Sequence, residues 1–465
     1  MTSDTAPVPK HDAAGEGGGG RADRLGRNYH RLFTAHVVSN LGDGMAQIAY
    51  PWLASAVTRN PLLVALVAVA QRLPWLVFTL PAGVITDRVD RRRLIYRMDL
   101  VRGVITVGVA LAVLAAADGL PSPDDIDSVV GTNTGLYLVL IVAALLLGCA
   151  EVLRDNSSQT ILPAIVRPDQ LEKANGRLWS AELVANTFVG PPIGSLLLAV
   201  SFVLPFVFDA ATFFAAAGLV FLLAGHFRAL PADGAGSAST GGTAQRSWRT
   251  EMKDGFRWLW RHPLLRTLAI TLGVLNALSQ MQFGTLILFS QEVLDTTPLE
   301  FAILTMGAAV GGIIGGYTAP AITARLGSGP ALWLTLVTSA LSGIPIGLTS
   351  FWPLVFVVFG INVLAGTVWN VITVSLRQTI IPDHLLGRVN SVYRFFGWGM
   401  MPIGTALGGL VVILSERVVD REMALRMPWF VSSAIGLLLM FYAVPRLTTE
   451  KMEAARAAAP SRPTP

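Results

Sequence analysis

The sequence predicts an all-α polytopic membrane protein: twelve transmembrane helices forming two six-helix bundles related by pseudo-two-fold symmetry. Three observations carry that expectation. Of 465 residues, 52% are hydrophobic and 14% charged, where a soluble domain carries about a quarter of its residues as Asp, Glu, Lys and Arg. The apolar residues gather into runs that match the roughly 20 residues a helix needs to cross a hydrocarbon core. A short motif also recurs at matching places in the two halves. Such a chain is not a secreted disulfide scaffold, a disordered tail protein or an ordinary soluble enzyme. The single cysteine, Cys149, lies in an apolar run and permits neither a disulfide framework nor a cysteine-rich metal site.

The candidate spans are residues 33–56, 61–85, 94–117, 135–157, 177–199, 203–225, 264–288, 300–322, 331–349, 352–375, 390–413 and 428–445. They divide the chain into a disordered tail (1–31), a first bundle (32–225), a linker with an interfacial helix (226–263), a second bundle (264–446) and a closing tail (447–465). The start is polar and glycine-rich, so no cleaved signal is expected and the first span directs insertion. With both termini in the cytoplasm, 28 of the 35 Lys and Arg residues fall on the inner side. Only Arg59, Arg417, Arg421 and Arg426 fall outside, and Arg72, Arg102 and Arg154 lie within spans. That asymmetry sets the orientation. It also spreads the net charge of +5 along one membrane face, which argues against nucleic acid as a partner.

Gln159-Thr160-Ile161-Leu162-Pro163 closes span 4, and Gln378-Thr379-Ile380-Ile381-Pro382 closes span 10. After each, an asparagine (Asn175, Asn390) opens the next span. Two parallel six-helix halves place a binding site near the midplane between them, reached alternately from either side. Between the halves, 232–244 is rich in Gly, Ala, Ser and Thr and reads as a flexible linker. Trp248, Met252, Phe256, Leu259 and Trp260 then share one helical face, with Arg249, Lys253, Arg257 and Arg261 beside it. This fits an interfacial helix that ends at Pro263 and anchors span 7.

Ionisable groups inside a bilayer are costly and invite a functional reading. Asp43 and Arg72 each lie about eleven residues into spans 1 and 2, at similar depth, where they can pair. A change in geometry would then free the carboxylate to take a proton, although a static pair fixing helix packing has the same signature. Glu151, Arg154 and Asp155 share one face of span 4, and Asp99 and Arg102 share one face of span 3. Glu182 lies one and a half turns into span 5. These suit either a proton relay with arginine gates or structural bracing. The second half offers Asn276, Gln280, Gln282, Asn362, Trp369 and Asn370 instead. Amides and aromatic faces suit a pocket for an amphiphilic or cationic organic molecule, and they equally suit interhelical hydrogen bonds.

The loop after span 2 reads Gly83-Val84-Ile85-Thr86-Asp87-Arg88-Val89-Asp90-Arg91-Arg92-Arg93. It resembles the signature loop of the major facilitator superfamily, with Asp90 where the broad pattern has glycine. The resemblance is to the bacterial siderophore and macrolide efflux branch. It extends through Leu41-Gly42-Asp43, Gly255-Phe256-Arg257, His262-Pro263 and Arg388-Val389-Asn390-Ser391. It implies the major facilitator fold, with Gly83 letting span 2 approach span 11. Asp87 then caps that helix, and Arg88, Arg91 and Arg92 complete a gate on the cytoplasmic side. Gly190-Pro191-Pro192-Ile193-Gly194 is similar to the Gly-Pro-x-x-Gly element of proton-coupled antiporters, lacking its upstream glycines. Gly190, Pro191 and Gly194 there imply a kink and tight packing across the two halves.

The resulting expectation is a bacterial cytoplasmic-membrane transporter, multi-pass and monomeric, that exports a small organic compound in exchange for protons. It needs no cofactor, metal or catalytic residue, its energy source being the proton gradient. No Gly-x-x-x-x-Gly-Lys-Ser/Thr loop for ATP is present. An importer or lipid flippase on the same fold, or a membrane sensor or assembly partner, are the alternatives. The sensor is disfavoured because no sizeable soluble output domain accompanies the spans.

Overall fold

The computed structural model describes residues 25–122, 129–167, 170–225, 227 and 248–458. Most of the expected N-terminal tail and the 232–244 linker lie outside the described residues. Local sequence sets the helix starts. Asn60, Asp90, Asn133 and Asp420 each accept backbone N–H groups at a helix N-terminus, and Thr297 with Glu300 forms a capping box.

The first half comprises α1 (Arg27–Val57), α2 (Pro61–Val77) with α3 (Thr79–Arg88), α4 (Arg91–Ala115) and α5 (Thr134–Ile161). Span 5 is α6 (Leu171–Leu183) and α7 (Gly190–Val200) joined by a π-helical segment, Val184–Val189, and span 6 is α8 (Leu204–Phe221). The second half begins with α9 (Trp248–Arg261), α10 (Pro263–Gly284) and α11 (Leu286–Glu292). It continues through α12 (Pro298–Leu326), α13 (Ser328–Leu348), α14 (Trp352–Ile380), α15 (Asp383–Ser415), α16 (Arg421–Ala443) and α17 (Thr449–Ala457).

Ten of the described helices are long and apolar enough to cross a membrane. The other two spans have specific reasons for falling short. The second is broken at Phe78 into α2 and α3, and α1 is polar along one side. The expected disordered tail also ends earlier than residue 31. Helix α1 starts at Arg27 because its first turn is tied to the end of α8: Asn28 donates to the Ala224 carbonyl (2.8 Å) and Arg31 to that of Leu222.

The two halves repeat the same packing. In the first, α1 meets α7 and α8, α4 meets α5 and α8, and α2 meets α5. In the second, α10 meets α15 and α16, α13 meets α14 and α16, and α12 meets α14. These five pairs correspond one for one under a shift of six spans. Between the halves the main contacts are α2 with α15 and α7 with α12, again related by the pseudo-two-fold. At the α2–α15 contact, a Cβ on Gly409 would come within 2.6 Å of the Leu62 Cα, at the start of span 2. The approach expected at Gly83, and the cap expected from Asp87, involve positions whose surroundings lie outside the described residues.

The first and last described residues and the α3–α4 turn lie on one face, here called the terminal face; the opposite one is distal. At the distal end a single apolar core joins the halves through Trp52, Phe206, Phe289, Phe301 and Trp429. At the terminal face each half has its own core. One is built around Tyr29, Leu32 and Ile95, the other around Leu265, Tyr393 and Met452, which seats α17. In α9, Phe256 and Trp260 stack on each other and on Phe396 of α15.

A polar latch overlies the distal core. Glu292 accepts from Arg59 (2.5 Å) and from Arg421 through both oxygens (2.8 and 3.0 Å). Arg421 also donates to the Arg59 carbonyl (2.7 Å), and Gln291 donates to Ser55 (2.9 Å). The halves are therefore clasped distally, while at the terminal face the described residues form two separate cores. Glu292→Gln should weaken the clasp by about 1–3 kcal/mol, the usual range for charge-assisted hydrogen bonds that are only part-buried. In a Cys149→Ser background carrying Ser55→Cys, that change should raise labelling by an impermeant maleimide applied distally. Unchanged labelling would show that the apolar core alone holds this face shut.

Candidate functional site

Helix α1 brings His36, Asn40, Asp43, Gln47 and Tyr50 to one side, spaced at four, seven, eleven and fourteen residues, which is the period of one helical face. All five line a cavity of about 490 Å³ in the first half. Asp43 pairs with Arg102 of α4, whose guanidinium also donates to Ser39 (3.3 Å) and lies 4.0 Å over the Phe213 ring. Behind Arg102, Asp99 approaches it at 3.8 Å and accepts from Arg154 Nε of α5 at 2.8 Å. Arg154 in turn reaches Asp155 at 3.4 Å. The result is a ladder of alternating charge across spans 1, 3 and 4.

Its middle is dry. Asp99 is 0% and Arg102 3% exposed, while the Asp43 side chain keeps 26% of its surface open to the cavity. Buried ions lose their hydration, and alternation of sign with shared hydrogen bonds is what offsets that loss. The ladder is still incomplete. Asp99 Oδ2 and Arg102 Nε have no hydrogen-bond partner.

The expected pair of Asp43 with Arg72 does not form. Equal depth does not fix direction around a helix axis, and Arg72 is exposed into the cavity with no ion pair among the described residues. Glu151 lines the same cavity one turn from Arg154, also without an ion-pair or hydrogen-bond partner among the described residues. Glu182 Oε2 lies 3.3 Å from His36 Nε2, at ion-pair distance but out of line for a hydrogen bond.

Gly190 and Gly194 are packing sites within the first half, where packing across the halves was expected. A Cβ on Gly194 would meet the Met45 carbonyl at 2.7 Å, and one on Gly44 would meet the Gly190 Cα at 3.0 Å. Span 5 thus lies directly on span 1. The expected kink takes the form of the π-helical segment that ends where Pro191, lacking an N–H, follows Gly190. Asn186 in that segment donates to Asn40 at 2.8 Å.

In the signature loop, Arg91 donates to the Thr160 carbonyl (2.9 Å) and Arg92 to that of Phe221 (2.6 Å). Both cap the ends of neighbouring helices in the same half. Arg88 is exposed at the end of α3. Asp90, standing where the broad pattern has glycine, accepts from the N–H groups of Arg93 (2.9 Å) and Phe227 (3.0 Å).

Of the second-half candidates, Gln280 alone lines a described cavity. That cavity, of about 240 Å³, lies toward the distal side between the halves, walled by Ile48, Val67, Phe283 and Phe301. It shares Gln47, Tyr50, Gln71 and Arg72 with the larger one. Asn276 instead donates to the Gly397 carbonyl (2.9 Å) and Asn362 to Ser342 (2.6 Å). Trp369 is buried in the core of its half, and Asn370 is exposed away from both cavities. An amide facing apolar surroundings bonds to the nearest helix, and these two do so. Trp398 is the second half's one contribution to the described lining of the larger cavity.

Reading for paired charges missed Asp209 on α8, and it missed the stripe on α1 that holds His36, Gln47 and Tyr50. The first had a signal, a lone carboxyl within Phe206-Val207-Phe208-Asp209-Ala210-Ala211. The second had one in its helical period.

Two parallel six-helix halves, clasped distally around a charged cavity, define a transporter of the major facilitator type. The chain belongs to the transmembrane secretion effector family of that superfamily, whose pattern it matches over residues 26–464. It is 28% identical over 391 residues to the multidrug efflux pump Tap of Mycolicibacterium fortuitum, covering 81% of this chain and 87% of that one. It is 25% identical over 391 residues to the enterobactin exporter EntS of Shigella boydii, covering 83% and 86%. Among solved structures it resembles a mutant of the nucleoside transporter NupG with a TM-score of 0.67 at 10% identity, covering 91% of this chain and all of that one. It also resembles a bacterial homologue of the lysosomal transporter Spinster, with a TM-score of 0.61 at 13% identity, covering 92% and 96%.

The ladder makes a stability prediction. Arg102→Met leaves Asp43 and Asp99 without their shared cation and should destabilise the protein by about 3–5 kcal/mol. Adding Asp43→Asn should recover part of that loss, measured by thermal unfolding of purified protein as a double-mutant cycle. Additive losses would show that the pair contributes nothing as a pair.

Proposed function

We propose that this chain exports small amphiphilic organic molecules across the bacterial cytoplasmic membrane in exchange for protons, by alternating access. The terminal face is then cytoplasmic, as the concentration of Lys and Arg on that side supports. The observation that carries the reading is the Asp43–Arg102 pair. It sits in the wall of a cavity closed distally by the shared core and the latch, and Asp43 is the member open to that cavity. A proton or a cationic group on the ligand competes with Arg102 for Asp43, so either can break one rung of the ladder. Breaking it loosens α1 from α4, and α1 is the helix that also packs on α7 and reaches α11 and α12 across the distal core. A local change of charge thereby reaches the distal closure.

The polar cavity and the apolar chamber beyond it suit a molecule with a polar or charged end and an apolar body. The names of the relatives, a multidrug pump and a siderophore exporter, support outward movement of such compounds. The described lining of the cavity is complete without a second copy, and we take a monomer as the working unit.

The test uses inside-out vesicles with an imposed pH gradient and a fluorescent pH probe. Dyes, macrolides and iron chelators are added in turn to wild type and to Asp43→Asn. Substrate-triggered proton release should appear in wild type and vanish in the mutant. Release that persists in Asp43→Asn would move the coupling to another carboxyl. No release with any compound would reject antiport of these classes.

A further inference from the structure

One fully buried carboxyl takes no part in the ladder. Asp209 of α8 is 2% exposed, its Oδ1 has no hydrogen-bond partner, and it makes no ion pair among the described residues. Gly42 makes its place, because a Cβ there would collide with the Asp209 carboxyl and the Thr212 hydroxyl. The side chain nevertheless borders the larger cavity.

Three helices pack on α8. From α1 come Asp43 and Tyr50, whose buried hydroxyl also lacks a partner. From α4 comes Arg102, with Asp99 behind it. The third, α7, carries no titratable residue. Asp209 is within electrostatic reach of Asp43, Arg102 and Tyr50. Arg102 already lies over Phe213, one turn along α8 from Asp209. A single guanidinium therefore stands among four carboxyls, Asp43, Asp99, Glu151 and Asp209, and pairs with the first two. Glu151 faces the cavity, whereas Asp209 is buried with neither a cation nor a donor, and an ionised carboxylate so placed is costly until a proton neutralises it.

We propose that Asp209 holds the transported proton in this terminal-side-open state and is the alternative partner of Arg102. In the exchange the O–H bond of Asp209 breaks and its proton passes to cavity water. Arg102 moves from Asp43 to the Asp209 carboxylate, and Asp43 is left ionised and open to the cavity for a cationic ligand or a new proton. One proton leaves, one ion pair is traded for another, and no further reactant is needed. The proposal rests on the antiport reading above for its direction, while the site itself is tested without transport.

The experiment is infrared spectroscopy of the full chain in lipid at neutral pH. Wild type should show a deuterium-sensitive carbonyl band of a protonated carboxyl that is lost in Asp209→Asn. Asp209→Glu should shift that band without removing it, which covers the case of an asparagine variant that fails to fold. Asp43→Asn, which leaves Asp209 in place, should also remove it, because Arg102 is then free to cross; a merely structural Asp209 would not respond. Glu151→Gln should leave it intact. A band that survives Asp209→Asn, survives Asp43→Asn, or disappears in Glu151→Gln would overturn the proposal. If these results hold while vesicles show no substrate-triggered proton release, the antiport reading fails and the proton site stands.

Discussion

Placing charge inside a membrane-spanning bundle is the constraint that organises the first half. The Asp43–Arg102–Asp99–Arg154 ladder holds together only if α1, α4 and α5 keep their faces turned toward one another. Each removed partner would leave an ion buried at a cost several times that of an exposed pair. The small residues around the ladder follow from it. Gly42 and Gly44 let α1 lie against α8 and span 5, which brings Asp43 within reach of Arg102. Among the described residues the second half carries no such ladder inside its spans. Charge pairs at its distal end, where Arg421 meets Glu292 and Arg426 donates to the Gly347 carbonyl, and the rest is joined by neutral amides, by Arg377 over Tyr393 and by apolar contact. One half is tuned by charge and the other by shape.

Closure is divided in the same way. The distal end has a shared apolar core under a charged latch, whereas the terminal end has two cores that do not merge. A molecule entering from the terminal face meets the charged cavity first, then Gln47, Tyr50, Gln71 and Arg72, and then the apolar chamber. That sequence of surroundings runs from polar to oily along the direction of transport proposed for it.

Much of this was legible in the residues. Long apolar runs and the repeated Gln-Thr-Ile segment specify the helices and their two-fold repeat, because the first follows from length and the second from register. Spacing along one helix correctly puts Glu151, Arg154 and Asp155 on a common wall, since the helical period is fixed. Partners on different helices were not legible. Depth in the membrane can be counted, but rotation about the helix axis and the choice between Arg72 and Arg102 are set by packing at Gly42 and Gly44. Asp209 escaped because a lone carboxyl has no spacing to reveal it. The second-half amides misled for the opposite reason, since an amide bonding to the next helix and one facing a cavity read alike.

The widened turn at Val184–Val189 has its own consequence. A π-helical turn accommodates one residue more than an α-turn, so span 5 carries a surplus residue within its contact with span 1. Surplus of this kind can migrate. Passing it one turn along the chain would rotate the residues it crosses by about 100° about the helix axis without unfolding the helix. Asn186, bonded to Asn40, and Glu182, beside His36, lie on or next to that stretch. Span 5 thus holds one loosely wound turn beside the cavity, with Glu182 before it, Asn186 within it and a far end seated on Met45.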